Sequence, residues 1–386
     1  MSNNDQDGKF LSFSANIPIT VPSSPPATGP GHPNVFASEF GCVVMSSFES
    51  MSATLSPQHW SVHGGSQADD CQHGDRGACP IRQCEARAKA HNPMSYRNYP
   101  CDSIILTYFR SSQTDLDAVG RKAFQGQLWR CMMGQALEMK SNIETRRAGN
   151  TFGITVWQYN EIWPTGGWGS VEYGCESCEG QVVGGRWKPL QYLYRQSVLT
   201  DVIVACGLAD NEWRCYVKND RAAQGYSGAV TINAVRLSDG HTTELWSDAV
   251  ALGSGPGAMS WVHMPALAAL NASESVVTAV AREGNATVCS NVVLLAPPRQ
   301  LSLPKATVQV QFRNPTDPLS ITVVSDELAL FVTLTTKAAG RFSDNAFLMP
   351  RGEVEITFIP FVAATAELKA QLKATLRVEH TALYRD

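Results

Sequence analysis

The sequence predicts a chain of mixed class, in which an α/β region is followed by an all-β region. Between residues 34 and 199, strand-like and helix-like apolar patterns alternate, whereas from about residue 201 the spacing changes to two. A period near 3.6 indicates a helix and a period of two indicates a strand. A Pro297-Pro298 pair then divides the β region. We therefore predict two strand–helix units followed by two β-sandwiches.

Composition limits the partners that the chain can have. Its 386 residues, 44% apolar and 17% charged, allow two or three domains with cores of their own. The formal charge is −4, with neither a basic stripe nor a long uninterrupted apolar run. Nucleic acid and a membrane are therefore not expected as partners, and a small or neutral ligand is favoured.

Four segments are predicted along the chain. Residues 1–33 carry six of the prolines and read as an irregular segment, because proline fixes φ and removes a hydrogen-bond donor. Residues 34–199 form the α/β region, 200–297 the first sandwich and 298–386 the second.

The α/β region contains two predicted strand–helix units. The first has a strand over 35–40 and a helix from about Thr114 to Arg147, with Thr114 and Asp115 as caps and a left-handed stop at Gly149. The second has a strand over 151–158, which is almost continuously apolar and so is expected to be buried on both faces. A helix from about residue 186 follows, with Pro189 in its first turn.

The β region shows strand periodicity and turn signals, with no further helix expected. A hairpin is predicted around the turn Ser238-Asp239-Gly240. The remaining predicted strands span 275–282, 287–295, 306–312, 319–324, 328–335 and 353–358.

One carboxylate stands inside the first predicted strand. Glu39 lies between Phe36 and Phe40 in an apolar run. A buried carboxylate is costly unless it is paired, hydrogen-bonded or used in chemistry. Glu39 is therefore predicted to be either a salt-bridged core residue or a catalytic group.

A second group of candidate residues follows the strand over 151–158. Aromatic and polar side chains alternate there, and α/β barrels bind ligands where parallel strands end. A packed tryptophan core is the alternative interpretation. The predicted ligand contacts are Trp157, Asn160, Glu161 and Trp163.

Eleven cysteines are many for a cytosolic chain of this size. The spacing of Cys71, His73, Cys79 and Cys84 does not match a zinc knuckle, so we predict a disulfide-stapled insertion, with Cys101 as a further candidate. A similar staple is predicted for Cys175 and Cys178.

Glycosylation sequons at Asn271 and Asn285, together with the cysteines, predict a lysosomal or secreted protein. The first residues carry no signal peptide, so a signal would have to lie elsewhere.

Several separated motifs resemble the β-mannosidases of glycoside hydrolase family 2. They begin with Phe36-Ala-Ser-Glu39-Phe-Gly41 and end with Phe342-Ser-Asp-Asn345. Between these lie Ser46-Ser47-Phe48, Trp157 to Pro164, Trp168-Gly-Ser170, Glu172-Tyr173-Gly174, Gly185-Arg186-Trp187-Lys188 and Tyr192. The resemblance implies the last two units of a (β/α)₈ barrel followed by two immunoglobulin-like domains.

The resemblance also implies roles for residues. Glu39 matches the catalytic nucleophile of a retaining exo-β-mannosidase, and Trp157 matches a tryptophan that lines the subsite for the terminal sugar. Glu161 stands where the family more often has aspartate. No metal and no organic cofactor are expected, and the implied partner is a β-mannoside oligosaccharide or glycan.

The second catalytic carboxylate is expected to be absent from the chain. In the family, the acid/base glutamate follows an asparagine on a barrel strand well before the nucleophile, but only 38 residues precede Glu39. Asn160-Glu161 comes after the nucleophile and does not match that position. We therefore expect the carboxyl-terminal part of a longer enzyme, from a truncated gene, processing or degeneration, with weak stability over 34–199 and little hydrolysis alone.

Two other functions remain as alternatives. One is a family 2 glycosidase of another specificity, such as a β-galactosidase or an exo-glucosaminidase. The other is a non-catalytic carbohydrate-binding or interaction protein built on the two sandwiches.

Overall fold

The computed structural model describes residues 32–65, 94, 99–109, 112–174, 185–209, 212–314 and 319–384. Most of the regular structure is β-sheet. The first region contains β1 (His32–Phe40), β2 (Val44–Met45), α1 (Phe48–Met51), α2 (Asp102–Tyr108), α3 (Gln113–Asp117), α4 (Arg121–Ala148), β3 (Thr151–Val156), β4 (Gly166–Gly167) and α5 (Pro189–Leu193), which continues as a π-helical turn over Tyr194–Val198.

Strands β1 and β3 form a parallel pair, with Phe36 opposite Gly153 and Phe40 opposite Val156. Helix α4 connects the two strands and packs on one of their faces. The prediction that the second strand is buried on both faces is wrong, because Phe152 is 64% exposed. Among the described strands, this sheet has two members only, so nothing described covers its other face.

The predicted long helix begins later than expected. Ser112 and Asp115 form a capping box for the short α3. The helical conformation is then interrupted before α4, whose N-cap residue is Gly120, with a φ of +114°. That φ suits glycine, which has no Cβ to clash. At the other end, the left-handed residue is Asn150, with a φ of +51°, whereas Gly149 has an ordinary φ of −70°.

The middle region is a sandwich of two antiparallel sheets. Its strands are β5 (Val202–Ala209), β6 (Glu212–Asn219), β7 (Tyr226–Arg236), β8 (Thr242–Leu252), β9 (Ala258–His263), β10 (Ser275–Glu283) and β11 (Ala286–Leu294). One sheet has the order β5-β6-β9 and the other β11-β10-β7-β8. The predicted hairpin is present as β7 and β8.

The last region is a second, smaller sandwich. Its strands are β12 (Val308–Gln311), β13 (Ser320–Ser325), β14 (Ala329–Thr335), β15 (Gly340–Phe342), β16 (Phe347–Met349), β17 (Gly352–Pro360) and β18 (Arg377–Glu379). They form two sheets with the orders β12-β13-β17-β15 and β16-β14-β18. The region also contains a helix, α6 (Ala366–Thr375), so the prediction that helices end near residue 201 is wrong.

The largest apolar core is shared by all three regions. It joins Trp129 of α4, Val235 and Leu294 of the first sandwich, and Leu301 and Phe331 near and within the second. Each sandwich also has a core of its own between its sheets. In the part of the chain that the structure describes, no helix has the length and apolar character to cross a membrane.

Two disulfides lie within the described residues. Cys101, at the start of α2, is bonded to Cys131 of α4, so the prediction that Cys101 belongs to a staple with Cys71, Cys79 or Cys84 is wrong. Cys206 is bonded to Cys215, which lies directly opposite it on the β5–β6 ladder. Outside the described residues lie Cys71, His73, Cys79, Cys84, Cys175 and Cys178.

Candidate functional site

A cleft of about 380 Å³ opens where β1 and β3 end, and it is lined by Glu39, Gly41, Trp157 and Trp168. Glu39 is the penultimate residue of β1 and its side chain is exposed. The interpretation of Glu39 as a buried core charge is therefore wrong. Its carboxylate can meet a ligand in the cleft without first breaking out of a core.

The parallel pairing of β1 and β3 brings Glu39 and Trp157 together. Phe40 pairs with Val156, and the Trp157 N–H donates to the Phe40 carbonyl over 2.7 Å. Trp157, which is 47% exposed, therefore emerges beside the end of β1. Its peptide bond to Gln158 is cis.

Glycine is required at position 41 by close approach of the two sides of the cleft. A Cβ there would lie 1.8 Å from the Trp157 carbonyl oxygen and 2.9 Å from Cδ1 of Trp168. Neither distance is compatible with van der Waals contact. Gly41 therefore allows the two tryptophans to stand next to Glu39.

Gln135 of α4 holds in place two chain segments that border the cleft. It is fully buried, and its Nε2 donates to the Cys42 carbonyl over 2.8 Å and to the Trp168 carbonyl over 3.4 Å. One side chain thus ties together the segments that follow β1 and β4. Sequence reasoning missed this residue, because a glutamine within a helical pattern carries no signal of what it contacts.

Two of the predicted ligand contacts lie on the loop after β3 but are not among the lining residues of the cleft. Trp163 is half-exposed, and its Nε1 donates to the Gly166 carbonyl over 2.7 Å. Asn160 is exposed, and its Nδ2 donates to the Glu161 carbonyl over 3.1 Å. Trp168, which was not predicted as a ligand contact, lines the cleft in their place.

Glu161 is held inside the loop by an ion pair. Its side chain and that of Lys188 are both 0% exposed, and Lys188 Nζ donates to Glu161 Oε1. Burial raises the pKa of the Glu161 carboxyl, and the adjacent Lys188 ammonium opposes that rise. A direct contact between Glu161 and a sugar would require this pair to open. In the structure, the pair joins the segment after β3 to the residue before α5.

A second buried carboxylate joins the loop after β2 to the loop before α5. Glu172 accepts hydrogen bonds from the Ser47 N–H over 2.7 Å, Ser47 Oγ over 3.0 Å and Ser50 Oγ over 2.6 Å. Arg186 Nε donates to the same carboxylate over 3.2 Å. Ser47, Glu172 and Arg186 belong to the motifs quoted above, whereas Ser50 does not, and nothing in the spacing of these residues predicts that they form one cluster.

The two sequon asparagines lie on exposed turns. Asn285 is in the tight turn between β10 and β11. Asn271 precedes β10, and its Oδ1 accepts from the Ser273 N–H over 3.1 Å and from Ser273 Oγ over 2.9 Å. Both side chains are open to solvent, and their glycosylation stays a prediction. Among the described residues, no group of three or more His, Cys, Asp or Glu side chains is arranged so that it could hold a metal ion.

Comparison with known proteins gives one family match and one curated relative of note. Residues 303–382 match Ig_mannosidase, an Ig-fold domain. A β-mannosidase of Capra hircus is 26% identical over 162 residues, which span 42% of this chain and 16% of the goat protein.

Solved structures share the fold over most of the chain. The β-D-mannosidase of Dictyoglomus thermophilum aligns with a TM-score of 0.61 at 17% identity, over 89% of this chain and 37% of its own. The exo-chitosanase CsxA of Amycolatopsis orientalis aligns with a TM-score of 0.55 at 13% identity, over 94% and 44%. The chain thus spans less than half the length of each of these proteins.

These likenesses agree on the class of enzyme that the chain resembles. The family match covers the second sandwich, and the curated relative and the structural neighbours are glycosidases. The chain resembles the carboxyl-terminal portion of the β-mannosidases of glycoside hydrolase family 2.

Proposed function

We propose that the chain is the carboxyl-terminal part of a retaining exo-acting β-mannosidase, with Glu39 as its nucleophile. The observation that carries this proposal is the exposed Glu39 carboxylate in a cleft with Trp157 and Trp168, at the carboxyl end of a parallel strand. Tryptophan side chains offer flat apolar surfaces, which suit the apolar face of a pyranose. The curated relative supports the preference for mannose.

Glu39 would act by attacking the anomeric carbon of a terminal β-mannoside. A glycosyl ester with Glu39 forms as the bond to the leaving oxygen breaks, and that oxygen takes a proton from a carboxylic acid. Water then attacks the anomeric carbon of this ester and gives a proton to the second carboxylate, the one that had protonated the leaving oxygen. The bond between the anomeric carbon and Glu39 breaks, which releases mannose and restores the Glu39 carboxylate. The two carboxyl groups of such an enzyme lie about 5 to 5.5 Å apart.

The acid/base partner is proposed to lie outside the described residues. Of the described side chains that line the cleft, Glu39 is the one carboxylate. Parallel sheets are normally covered on both faces, yet Phe36 is 55% exposed and Phe152 64% exposed on this pair of strands. Both observations support the proposal that β1 and β3 are two strands of a larger (β/α)₈ barrel.

Covalent labelling tests the role of Glu39 without requiring the acid. In a 2-deoxy-2-fluoro-β-mannosyl fluoride, fluoride leaves without protonation and the fluorine at C2 slows hydrolysis of the ester. We expect the intact mass of the chain to rise by one 2-fluoromannosyl group, located by peptide mapping on Glu39. The matched 2-deoxy-2-fluoro-β-galactosyl fluoride should label more slowly. Because glucosamine carries its amine at C2, that sugar is compared through 5-fluoro-β-glycosyl fluorides, and the 5-fluoro-β-glucosaminyl fluoride should label more slowly than the 5-fluoro-β-mannosyl fluoride.

The controls are Glu39→Gln, which should abolish labelling, and Glu367→Gln on the exposed surface of α6, which should leave it unchanged. Labelling at another carboxylate would contradict the assignment. Because no acid besides Glu39 lines the cleft among the described residues, we expect the purified chain to hydrolyse aryl β-mannosides slowly. Rapid hydrolysis would contradict the proposal that the acid/base partner lies outside these residues.

An exo-glucosaminidase is the second candidate. The observation that favours it is the shared fold with CsxA, described as an exo-chitosanase and as an exo-β-D-glucosaminidase. Faster labelling by the 5-fluoro-β-glucosaminyl fluoride than by the 5-fluoro-β-mannosyl fluoride would decide for this specificity.

A lysosomal or secreted location is also proposed. The exposed turns at Asn271 and Asn285 and the two disulfides support it. After expression through a secretory pathway, peptide-N-glycosidase treatment should lower the mass of the protein, and Asn271→Gln with Asn285→Gln should remove that difference. An unchanged mass in the native sequence would contradict the proposal.

A further inference from the structure

We propose that Arg377, in the last strand of the second sandwich, is a positioning residue for the cleft at Glu39. It would act through α1 and Glu172, which lie between the sandwich and the cleft. The effect on sugar chemistry rests on the function proposed above, whereas the chain of contacts does not.

The first step is a bidentate ion pair between distant parts of the chain. Arg377 Nε lies 2.8 Å from Glu49 Oε1 and Arg377 Nη2 lies 3.1 Å from Glu49 Oε2, across 328 residues of sequence. The third nitrogen, Nη1, lies 2.6 Å from Oε1 of the buried Glu379 on the same strand as Arg377. The planar guanidinium thereby fixes the orientation of Glu49 relative to β18.

The second step runs through α1, the single-turn helix Phe48–Met51 that carries Glu49. Arg377 holds this helix at Glu49, and Glu172 holds it at Ser47 and Ser50, on either side of Glu49 in sequence. The Glu172 carboxylate accepts from Ser47 and Ser50, and Arg186 Nη2 donates to Ser50 Oγ over 2.6 Å. All of these side chains are buried or nearly so, which leaves α1 little freedom to tilt.

The third step joins α1 to the wall of the cleft. Strand β2 ends two residues before Ser47, and its Val44 and Met45 pair with Gly167 and Gly166. Trp168 follows directly. On the far side of Trp168, the Glu172 N–H donates to the Arg186 carbonyl over 2.8 Å. Trp168 is therefore bounded on one side by β2, which leads into α1, and on the other side by Glu172, which contacts Ser47 and Ser50.

A purely local role for Arg377 makes a different prediction from the proposed role, in which contacts through α1 and Glu172 connect Arg377 to the cleft. If Arg377 only fastens β18, its loss should loosen α6, β18 and α1. If it positions the cleft, its loss should also loosen the segment from Gly166 to Glu172, which it does not touch. The two cases are separated by hydrogen exchange, which reports local opening amide by amide.

The experiment compares Arg377→Met, Arg377→Lys and the control Arg313→Met in the whole chain. Arg313 lies in the same sandwich and pairs with Glu353 on the exposed surface. In Arg377→Met, we expect the amides of Ser170 and Glu172 to exchange at least about tenfold faster, because one buried partner is lost. Arg377→Lys should restore part of the protection, and Arg313→Met should change nothing there.

Faster exchange confined to α1, α6 and β18 would overturn the proposal. If Arg377→Met fails to fold, Glu49→Gln provides the same test with nearly unchanged shape, and unchanged exchange at Ser170 and Glu172 would again overturn it. Labelling by the 2-fluoromannosyl fluoride should also slow at least about tenfold in Arg377→Met, whereas exchange in β7 and β10 should stay as in the native chain. Suppose that Arg377→Met shows the expected faster exchange at Ser170 and Glu172, but the native chain is never labelled. This result would refute the proposed glycosidase function and would still support the role of Arg377 in positioning the cleft.

Discussion

At the scale of single residues, buried charges organise the loops around the cleft. Glu161 and Lys188 pair inside the loop after β3, and Glu172 caps α1. The proximity of Glu39 and Trp157 could be predicted, because both residues end neighbouring parallel strands. The partners of Glu161 and Glu172 could not, because they depend on how loops far apart in sequence fold onto each other.

His63 provides a test of pH dependence at this scale. It is buried between Asp102, whose Oδ1 lies 2.8 Å from Nε2, and Asp117, whose Oδ1 lies 2.9 Å from Nδ1. Burial lowers the pKa of the imidazole, but the carboxylates of Asp102 and Asp117 outweigh it, and the net pKa is raised. A raised pKa in the folded state means that the folded chain binds the proton more tightly than the unfolded chain.

The stabilisation from His63 should therefore be complete below the unfolded pKa of about 6.5 and disappear as the pH rises through the folded value. We expect the difference in free energy of unfolding between the native chain and His63→Gln to shrink as the pH rises through this window. Denaturant titrations at a series of pH values measure this difference. A difference that grows with rising pH would contradict the buried imidazolium.

At the scale of elements, the Cys101–Cys131 disulfide fastens the start of α2 to the middle of α4 across 30 residues of sequence. Closing a loop of this length restricts the unfolded chain. We expect Cys101→Ala with Cys131→Ala to lower the free energy of unfolding by about 2–4 kcal/mol. The matched control removes Cys206 and Cys215, which close only 9 residues already joined by the β5–β6 ladder, and should cost less. Thermal melts of both double variants compare the two costs, and the reverse order would contradict the expectation.

The elements differ in how well the sequence predicts them. The β7–β8 hairpin follows from its Ser-Asp-Gly turn, and Pro189 stands in the first turn of α5 as predicted, although α5 begins at Pro189 and not at about residue 186. Helix α6 is not among the predicted elements, although Thr365 caps it and Leu368 and Leu372 have helical spacing, because the segments before it show strand periodicity. The partner of Cys101 could not be found, since disulfide connectivity does not follow from spacing.

At the scale of the whole molecule, the linear order of the regions was predictable but their shared packing was not. Periodicity reports which face of an element is apolar, not which distant element covers it. The boundaries at residues 200 and 298 stay predictions. The exposed Phe36 and Phe152 fit the expectation that two parallel strands alone leave apolar surface uncovered.

The core that joins Trp129, Leu294 and Phe331 also has a consequence for how such a chain can evolve. A recombination breakpoint at either predicted boundary would cut through one continuous packed interior and leave large side chains without neighbours on both products. Exchange of a single sandwich between relatives would then require compensating substitutions in α4. Selection should therefore pass the region of β1, α4 and β3 and both sandwiches from ancestor to descendant as one heritable block.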